Sequence, residues 1–546
     1  MSRLAPLVLA ALLGACATPI PPSGGPVDTT PPTLVSSQPT TAATRVADST
    51  ITLTFSERLD PTARTAVSVA PVGDTPPQVS VRGRDVTITL PALRPATTYV
   101  VTVGTTLKDN HGVALQAPIT FAFATGDTID RGQIAGVVRS PETGAGVPLA
   151  VWAYALADSA SAPATSGAPD YRTETGADGA FALEYLRPGP YAVVAVQDRN
   201  RNLRADPGET FAVSPRRVLR ADTARAEPAP FWVTALDSIP PRAQRIRPVS
   251  SRRFSVRFDE PVQLLDVAAD AWTVADSASG RRAEVGLYQP RDAPFEVFVE
   301  TDAALAPVPH RVSYRPGSPP ALADSAGRAA APFDLPFTPP ARPDTVQARF
   351  LGFAPGTPRD TMTVLRPGAL PSVQFSAPLA DPATRIAVTA DGERLETTFR
   401  TTDGVSYQPA RPDSAALPAT FEIAVQTPDS TYRQRFAVAG ERETGGLVGR
   451  IERSSVRAAP GAPVWVEARP ATGERVLVRA LDDGTFAILG LLPGPYTLRA
   501  WADFDGDGRW SGGALAPYQA PEPLALVLDP LQVRARWDTD VPPITL

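Results

Sequence analysis

Hydrophobic and polar residues alternate along most of the chain. The stretches ITLTF (51–55), VTITL (86–90) and ITFAF (119–123) each place an apolar residue at every second position. Because successive side chains of a β-strand point to opposite faces, this period of two predicts strands that bury one face and expose the other. No amphipathic helix of useful length is evident. The pattern therefore predicts an all-β protein.

Chain length and proline content indicate how these strands are grouped. The chain has 546 residues, of which 62 are proline. Proline has no amide hydrogen to give to a sheet and interrupts helices, so its spread along the chain favours short strands joined by many turns. At roughly one domain per 100 to 200 residues, this length corresponds to about three to five domains. We therefore expect tandem β-sandwich domains with separate cores.

One sequence pattern joins a proline-rich segment to a strand that ends in phenylalanine. Its copies are DTTPPTLVSSQPT (28–40) with LTFSERLDP (53–61), DSIPPRAQRIRP (237–248) with VRFDEPV (256–262), and the weaker VQFSAPLADP (373–382). The third copy has Ala377 where the others have Glu57 and Glu260. This pattern resembles the bacterial Ig-like domain of the SbsA type. The resemblance implies Ig-like sandwiches at 28–126, 236–339 and 340–441.

A second pattern occurs twice. The copies are GQIAGVVRSPETGAGVPLAVWAYA (132–155) with GADGAFALEYLRPGPYAVVAVQDRN (176–200), and GGLVGRIERSSVRAAPGAPVWVEA (445–468) with LDDGTFAILGLLPGPYTLRAWADFD (481–505). The Asp-Gly pairs at 178–179 and 483–484 are typical of tight turns between strands. The pattern resembles the carboxypeptidase regulatory-like domain, a prealbumin-like sandwich of seven strands. The resemblance implies such domains at 127–235 and 442–546.

The amino terminus, MSRLAPLVLAALLGAC, has a basic residue and then an apolar run that is too short to cross a bilayer as a helix. This is typical of a secretory signal. Residues 13–16, Leu-Gly-Ala-Cys, resemble the bacterial lipobox, and Cys16 is the only cysteine of the chain. The resemblance implies a signal peptide at 1–15, acylation of Cys16, and a tether at 16–27. The alternative is an ordinary signal peptide followed by an incidental cysteine.

These features predict where the protein is found and which partners it has. Acylated Cys16 would attach it to a membrane of the cell envelope, and we expect the outer membrane. The formal net charge is -5. Nucleic-acid binding needs a broad basic surface, so we exclude nucleic acid as a partner. An unknown envelope protein or glycan is expected instead.

Two loops carry a candidate metal site, one in each prealbumin-like copy. The oxygen-bearing residues are Asp198, Asn200, Asn202, Asp206 and Glu209 in the first loop, and Asp503, Asp505 and Asp507 in the second. Those of the first loop stand at positions 1, 3, 5, 9 and 12 of a calcium-binding loop. Leu203 replaces the glycine at the sharp turn, and Ala514 stands where a carboxylate would complete the second loop. We expect a weak structural Ca²⁺ site; the alternative is a solvated acidic turn.

No catalytic motif is evident. The chain has only two histidines, His111 and His310, and both are expected at the surface or in turns. This number excludes a histidine-rich zinc site. No phosphate-binding glycine loop or nucleophile elbow is present. We therefore expect a protein that is not an enzyme. A hydrolase using a pair of acidic residues is a remote alternative, because the sequence does not give the separation of carboxylates.

Three aromatic side chains are candidate binding residues. In the strands PLAVWAY (148–154) and PVWVEA (463–468), the period of two places Trp152, Tyr154 and Trp465 on the face opposite the core. Such rings can stack on sugars or contact a partner protein, but packing between domains explains them equally and is the interpretation that we favour. The predicted function is a non-catalytic scaffold, adhesion or protein-binding role. The alternative is a carbohydrate-binding lipoprotein.

Overall fold

The computed structural model describes residues 28–71, 75–158, 167–206, 208–221, 229–235, 240–265, 267, 269–318, 320–324, 327–356, 361–412, 415–453, 461–515 and 517–546. It is nearly all β, with 48% strand and 3% helix, so the predicted all-β class is confirmed. None of the helices in this described part has the length and apolar character needed to span a bilayer. The predicted signal peptide, Cys16 and the tether at 16–27 lie outside the described residues.

The first sandwich consists of two sheets, of order β1-β2-β5-β4 and β3-β6-β7. Its strands are β1 (Leu34–Gln38), β2 (Thr50–Phe55), β3 (Val67–Ala70), β4 (Gln78–Arg82), β5 (Asp85–Thr89), β6 (Thr98–Val103) and β7 (Ile119–Ala124). Ile51, Leu53 and Phe55 alternate along β2 and are buried in the core, as the period of two requires. A 3-10 helix, Pro61–Ala66, follows Asp60, whose side chain accepts a hydrogen bond from the Thr62 amide.

The second sandwich has a large sheet of order β10-β9-β12-β13-β16, in which β14 also pairs with β12. A smaller sheet of order β11-β8-β15 covers one of its faces. The strands are β8 (Gly132–Arg139), β9 (Ala150–Ala155), β10 (Tyr171–Glu174), β11 (Ala180–Leu186), β12 (Gly189–Val196), β13 (Thr210–Val213), β14 (Leu219–Ala221), β15 (Ala229–Trp232) and β16 (Thr234–Ala235). Strands β9 and β12 are buried on both faces, so a further element must cover the outer face.

The third sandwich has sheets of order β17-β18-β23-β22 and β21-β20-β24-β26, with a short β19-β25 pair. Its strands are β17 (Ala243–Pro248), β18 (Arg253–Phe258), β19 (Gln263–Leu264), β20 (Trp272–Asp276), β21 (Arg282–Ala283), β22 (Val285–Tyr288), β23 (Glu296–Thr301), β24 (His310–Tyr314), β25 (Leu322–Ala323) and β26 (Phe333–Phe337). A 3-10 helix, Ala269–Ala271, precedes β20. Phe254, Trp272 and Tyr314 belong to the core between the sheets.

The fourth sandwich has sheets of order β27-β29-β33-β32 and β28-β35-β34-β30-β31. Its strands are β27 (Phe350–Ala354), β28 (Thr363–Leu365), β29 (Ser372–Phe375), β30 (Ile386–Ala390), β31 (Glu393–Arg394), β32 (Thr398–Arg400), β33 (Ser406–Ala410), β34 (Thr420–Gln426) and β35 (Thr431–Val438). The short helix α1, Pro382–Arg385, begins after Asp381, which caps the Ala383 amide. Strand β28 runs parallel to β35 at the edge of the larger sheet.

The fifth sandwich has sheets of order β39-β36-β44 and β38-β37-β40-β43, with β45 also pairing with β36. Its strands are β36 (Gly445–Glu452), β37 (Val464–Pro470), β38 (Val476–Arg479), β39 (Thr485–Leu491), β40 (Gly494–Ala502), β41 (Ala514–Leu515), β42 (Tyr518–Gln519), β43 (Leu524–Val533), β44 (Asp538–Asp540) and β45 (Ile544–Thr545). The β41-β42 hairpin stands outside both sheets and projects from the end of the acidic loop.

Each sandwich has its own apolar core, and neighbouring sandwiches also pack on one another. Tyr288 of the third sandwich forms a buried cluster with Ala377 and Val405 of the fourth. The contact accounts for the small side chain at position 377, since Ala377 is buried against the aromatic ring of another sandwich. Arg366 of the fourth sandwich lies 3.2 Å from Glu474 of the fifth. Consecutive sandwiches in this part of the chain are therefore in direct contact.

Candidate functional site

The second and fifth sandwiches form an interface that buries two of the three candidate aromatic residues. Trp152 and Tyr154 are 1% and 5% exposed, and they cluster with Leu515, which comes from the β41-β42 hairpin. The Tyr518 hydroxyl of the same hairpin donates a hydrogen bond to the Ser214 carbonyl at 2.8 Å. The hairpin thus covers the outer face of β9. A sugar could stack on Trp152 only after the two sandwiches separated.

A second group of aromatic residues continues the same interface. Trp232 of the second sandwich packs with Trp465, Trp501 and Trp510 of the fifth, and Trp465 is half-buried there. The Arg499 guanidinium carbon lies 5.5 and 5.0 Å from the ring centroids of Trp501 and Trp510. These distances suit cation–π attraction. All three residues predicted to face away from their own cores therefore lie at contacts between sandwiches.

An acidic residue joins the two sandwiches beside this aromatic group. Glu142 of the second sandwich lies 2.7 Å from Arg469 and 3.1 Å from Arg499 of the fifth. Burial alone would raise the pKa of Glu142, but the hydrogen bond from Arg469 and the charges of both arginines outweigh it and lower the pKa. The pKa of Arg499 is lowered, mainly by burial and then by the charge of Arg469. No sequence pattern predicted this contact, because its partners are more than 300 positions apart.

The loop of the second sandwich is closed by hydrogen bonds among its own side chains. Asp198 accepts the amides of Asn202 and Leu203 at 3.1 and 3.0 Å. One oxygen of Asp206 accepts the side-chain amides of Asn200 and Asn202, each at 2.7 Å. Neutral amide donors therefore occupy positions around Asp206 where a cation would need oxygen ligands.

Glu209 closes the same loop at its far end. It is 5% exposed and accepts the backbone amides of Arg199 and Asp206 at 2.9 and 3.0 Å. Leu203 has a φ of 58°, in the left-handed region that glycine adopts most easily. The loop therefore makes its sharp turn with a leucine at the position where a calcium-binding loop has glycine.

The loop of the fifth sandwich has the same backbone shape. Gly506 and Gly508 have positive φ values of 80° and 74°, at the positions that correspond to Arg201 and Leu203 of the first loop. Asp503 accepts the amides of Gly506 and Gly508 at 2.6 and 2.9 Å. The two loops are thus alike in backbone and differ in their side chains.

A carboxylate that the sequence did not indicate completes this second loop. Glu522 accepts the backbone amides of Phe504 and Ser511 at 2.6 and 2.8 Å. These amides lie one and eight positions after Asp503, the offsets at which Glu209 bonds in the first loop. Ala514 occupies the expected sequence position, but the β41-β42 hairpin is inserted before the closing residue. Spacing within the loop therefore failed to identify Glu522.

Three carboxylates converge in the second loop. Asp503, Asp505 and Glu522 each offer one oxygen, and these oxygens lie within 4.8 Å of one another. Asp507 is outside this group; its side chain is exposed and accepts the Arg509 amide at 2.7 Å. Such an arrangement of oxygens is suited to a hard divalent cation such as calcium.

The electrostatics of this loop follow from burial and from the proximity of like charges. The pKa of Glu522 is raised to about 7, mainly by burial. Two backbone hydrogen bonds oppose this shift, and the negative charges of Asp505 and Asp503 add to it. The pKa of Asp505 is also raised, by burial and then by Asp507 and Asp503. For Asp503, burial is outweighed by hydrogen bonds from Gly508, Trp465 and Gly506, and its pKa is lowered. A bound cation would offset the repulsion among these carboxylates.

The second loop is joined to the aromatic interface by two tryptophans. The indole nitrogen of Trp465 donates to Asp503 at 3.0 Å, and that of Trp510 donates to the Glu522 carbonyl at 3.0 Å. The sequence suggested a metal loop and a separate aromatic binding face. The structure brings Asp503 and Trp465 together in one site.

A cleft of about 470 Å³ lies between the first and second sandwiches. Asp198 of the first loop, Arg172 and Glu174 are among its lining residues. Glu174 accepts the amide and hydroxyl of Thr105 at 2.7 and 2.6 Å, so it connects the two sandwiches. The pKa of Arg172 is lowered by burial, which the charges of Glu174 and Asp198 oppose.

The expectation for the histidines needs one correction. His310 is 4% exposed, in β24 beside Phe337, and its Nδ1 lies 2.7 Å from the Val308 carbonyl. It is therefore a buried residue with a backbone partner, because β24 pairs on both sides within its sheet. His111 is largely exposed, in the turn where it was expected.

One family model matches the chain. It describes a bacterial Ig-like domain and covers residues 28–125, the first sandwich. This confirms a bacterial Ig-like domain in that part of the chain, whereas the carboxypeptidase regulatory-like resemblance stays a prediction. No curated protein matches the chain.

Solved structures give only distant likenesses. The N-terminal part of the bacterial S-layer protein SbsC matches with 13% identity and a TM-score of 0.17, covering 37% of this chain and 45% of that chain. The S-layer protein rSbsC matches with 12% identity and a TM-score of 0.16, covering 86% and 65%. BcpA, the major pilin subunit of Bacillus cereus, matches with 8% identity and a TM-score of 0.14, covering 76% and 99%.

This chain thus spans less than two thirds of the length of either S-layer structure. The TM-scores are too low for any of these proteins to indicate how this chain is arranged or what it does.

The interface can be tested with Leu515→Asp. Leu515 is 6% exposed against the second sandwich, so an aspartate there would bury an unpaired charge in an apolar contact. We expect the second and fifth sandwiches to separate, which small-angle X-ray scattering would record as a larger radius of gyration. Leu481→Asp is the matched control, because Leu481 is 66% exposed in the same sandwich. Equal radii for the two variants would contradict the interface.

The raised pKa of Glu522 predicts how stability depends on pH. The folded chain keeps this proton up to about pH 7, whereas an ordinary glutamate loses it near 4.5. With chelator present, the contribution of Glu522 to stability should therefore fall as pH rises from about 4.5 to about 7. The thermal midpoint should show this fall, and Glu522→Gln should remove it. A wild-type profile identical to that of Glu522→Gln would exclude the raised pKa.

Proposed function

We propose that this protein is a non-catalytic scaffold of the cell envelope, whose packed sandwiches present their outer surface to a partner protein. The observation that carries the proposal is the interface between the second and fifth sandwiches. Trp152 is buried there, and Glu142 pairs with Arg469 and Arg499. Contacts between residues so far apart in sequence favour a fixed arrangement over a flexible string of domains.

The candidate functional groups support a structural role more than a catalytic one. Glu174 is held by hydrogen bonds from Thr105, and Glu142 is paired with arginines of another sandwich. His310 is buried beside a backbone carbonyl. Glu174 and Glu142 thus each join two sandwiches, and His310 already has a partner within its own sandwich. A general acid or base must instead reach a substrate atom.

Attachment to the membrane through Cys16 belongs to the same proposal. The apolar run and the lipobox-like residues 13–16 support it, and the proline-rich residues that follow would separate the sandwiches from the bilayer. A lipid anchor would place the scaffold at the outer membrane, where a partner protein of the envelope is accessible.

Calcium would act as a structural clip in this scaffold. The loop with Asp503, Asp505 and Glu522 is the better of the two candidates, because three carboxylate oxygens converge there. In the loop with Asp198 and Glu209, asparagine amides already satisfy Asp206. Binding at the fifth-sandwich loop would also hold Trp465 and Trp510 in the interface, since both donate to residues of that loop.

The calcium clip predicts a thermal shift. Millimolar Ca²⁺ should raise the thermal midpoint of the wild-type protein relative to excess chelator, because the cation offsets repulsion among the carboxylates. Asp503→Ala should remove most of this shift, and Asp198→Ala should remove less of it. No difference between calcium and chelator in the wild type would refute the clip.

Lipid attachment can be tested by growing cells with a labelled fatty acid. The wild-type protein should carry the label and fractionate with membranes. Cys16→Ser should carry none, because the acylated sulfur is absent. An unlabelled wild-type protein would exclude the anchor without affecting the scaffold.

The scaffold itself is tested by crosslinking in cells. An envelope protein should be crosslinked to the wild type and to Leu481→Asp, and less to Leu515→Asp, because only the last variant disturbs the packed arrangement. Absence of any specific envelope partner, or a hydrolase activity lost on replacing one acidic pair, would reject the scaffold.

A further inference from the structure

A second group of acidic side chains lies in the first sandwich, far in sequence from either loop. Asp28 precedes β1, Glu57 follows β2, and Asp109 and His111 stand in the turn between β6 and β7. One ligand atom of each lies within 4.8 Å of the others. The His111 Nδ1 lies 3.1 Å from an Asp28 oxygen. The sandwich thus brings together residues from three separate segments.

Asp109 is the buried member of this group. It is 1% exposed, and its Oδ1 accepts the amides of His111 and Val113, each at 2.8 Å. These bonds hold the turn. Its Oδ2 is also buried and has no hydrogen-bond partner. A buried carboxylate oxygen without a donor is costly, so the group needs a positive charge or a proton beside it.

The third sandwich repeats this arrangement. Asp324 is 2% exposed, and its Oδ1 accepts the Arg328 amide at 2.8 Å. This donor stands four positions after the aspartate, as Val113 does after Asp109 in the first sandwich. The Asp324 Oδ2 is again buried without a partner. The same orphan oxygen therefore appears in two turns of the same design. In the fourth sandwich Ala377 replaces the glutamate, and an apolar contact with Tyr288 takes its place.

The surroundings of Glu57 show that negative charge is concentrated in this group. Burial is the main cause that raises the pKa of Glu57, followed by the charges of Asp109 and Asp28 and by a side-chain hydrogen bond with Asp109, while His111 opposes them. The His111 side chain is 68% exposed and directed to Asp28, so it offsets only part of the repulsion.

We propose that the first sandwich binds one Ca²⁺ ion through the carboxylates of Asp28, Glu57 and Asp109. Three converging carboxylates form the oxygen-rich set that calcium prefers, and the free Asp109 Oδ2 supplies the buried ligand. The ion would connect the segment before β1 to the turn after β6. It would thereby fix the sandwich relative to the chain that precedes it. The proposal is independent of the loops in the second and fifth sandwiches.

Hydrogen exchange of the full-length protein, with calcium or with chelator, tests this site locally. Calcium should slow amide exchange in peptides that cover 28–34 and 107–115. Asp109→Asn should abolish this protection and remove one bound calcium in a calorimetric titration, since an amide nitrogen replaces the free oxygen. Peptides covering 503–522 should respond to calcium alike in both proteins, which separates this site from the loop.

Two further variants guard against simple misfolding. Glu57→Gln should also abolish the protection, and Asp127→Asn should keep it, because Asp127 pairs with Arg45 at the surface. In chelator, Asp109→Asn should melt no lower than the wild type, since its amide can donate to Glu57. Unchanged exchange at 28–34 and 107–115 on adding calcium to the wild type overturns the proposal. Protection by zinc alone, lost in His111→Ala, overturns the choice of calcium.

Discussion

The burial of aromatic side chains on the outer faces of the second and fifth sandwiches determines how the rest of the chain is arranged. Strands β9 and β12 have apolar residues on both faces, and a sheet of this kind must be covered on both sides. Its own small sheet covers one side, and the β41-β42 hairpin covers the other. Because these partners are far apart in sequence, the third and fourth sandwiches must form a connection that returns the chain.

The acidic loop of the fifth sandwich is part of this contact. Trp465 and Trp510 each pack in the apolar cluster and donate a hydrogen bond from the indole nitrogen to the loop. Glu142 adds two ion pairs to Arg469 and Arg499 at the same border. A change in the charge of Asp503 therefore acts on the hydrogen bond that orients Trp465 in the interface, not only on the loop itself. This coupling links the proposed calcium clip to the proposed scaffold.

Repeated modules keep a backbone shape while their side chains diverge. The two acidic loops share their positive-φ positions, but the second has glycines where the first has Arg201 and Leu203. The closing glutamate is Glu209 in one loop and Glu522, beyond an inserted hairpin, in the other. The corresponding turns of the first and third sandwiches likewise share the free oxygens of Asp109 and Asp324. Backbone hydrogen bonds preserve the turn, whereas the side chains differ between copies because different neighbours pack against them.

Features that depend on near neighbours along the chain could be predicted from the sequence. Alternation predicted buried strands such as the one containing Ile51, Leu53 and Phe55, because a strand's two faces follow from a period of two. It also located both acidic loops. Only the folded chain shows that Trp152 is buried by another sandwich, that Glu522 closes the second loop, and that Asp109 lies beside Glu57 and Asp28. The physical reason is that these contacts join segments whose separation in sequence gives no information about their distance in space.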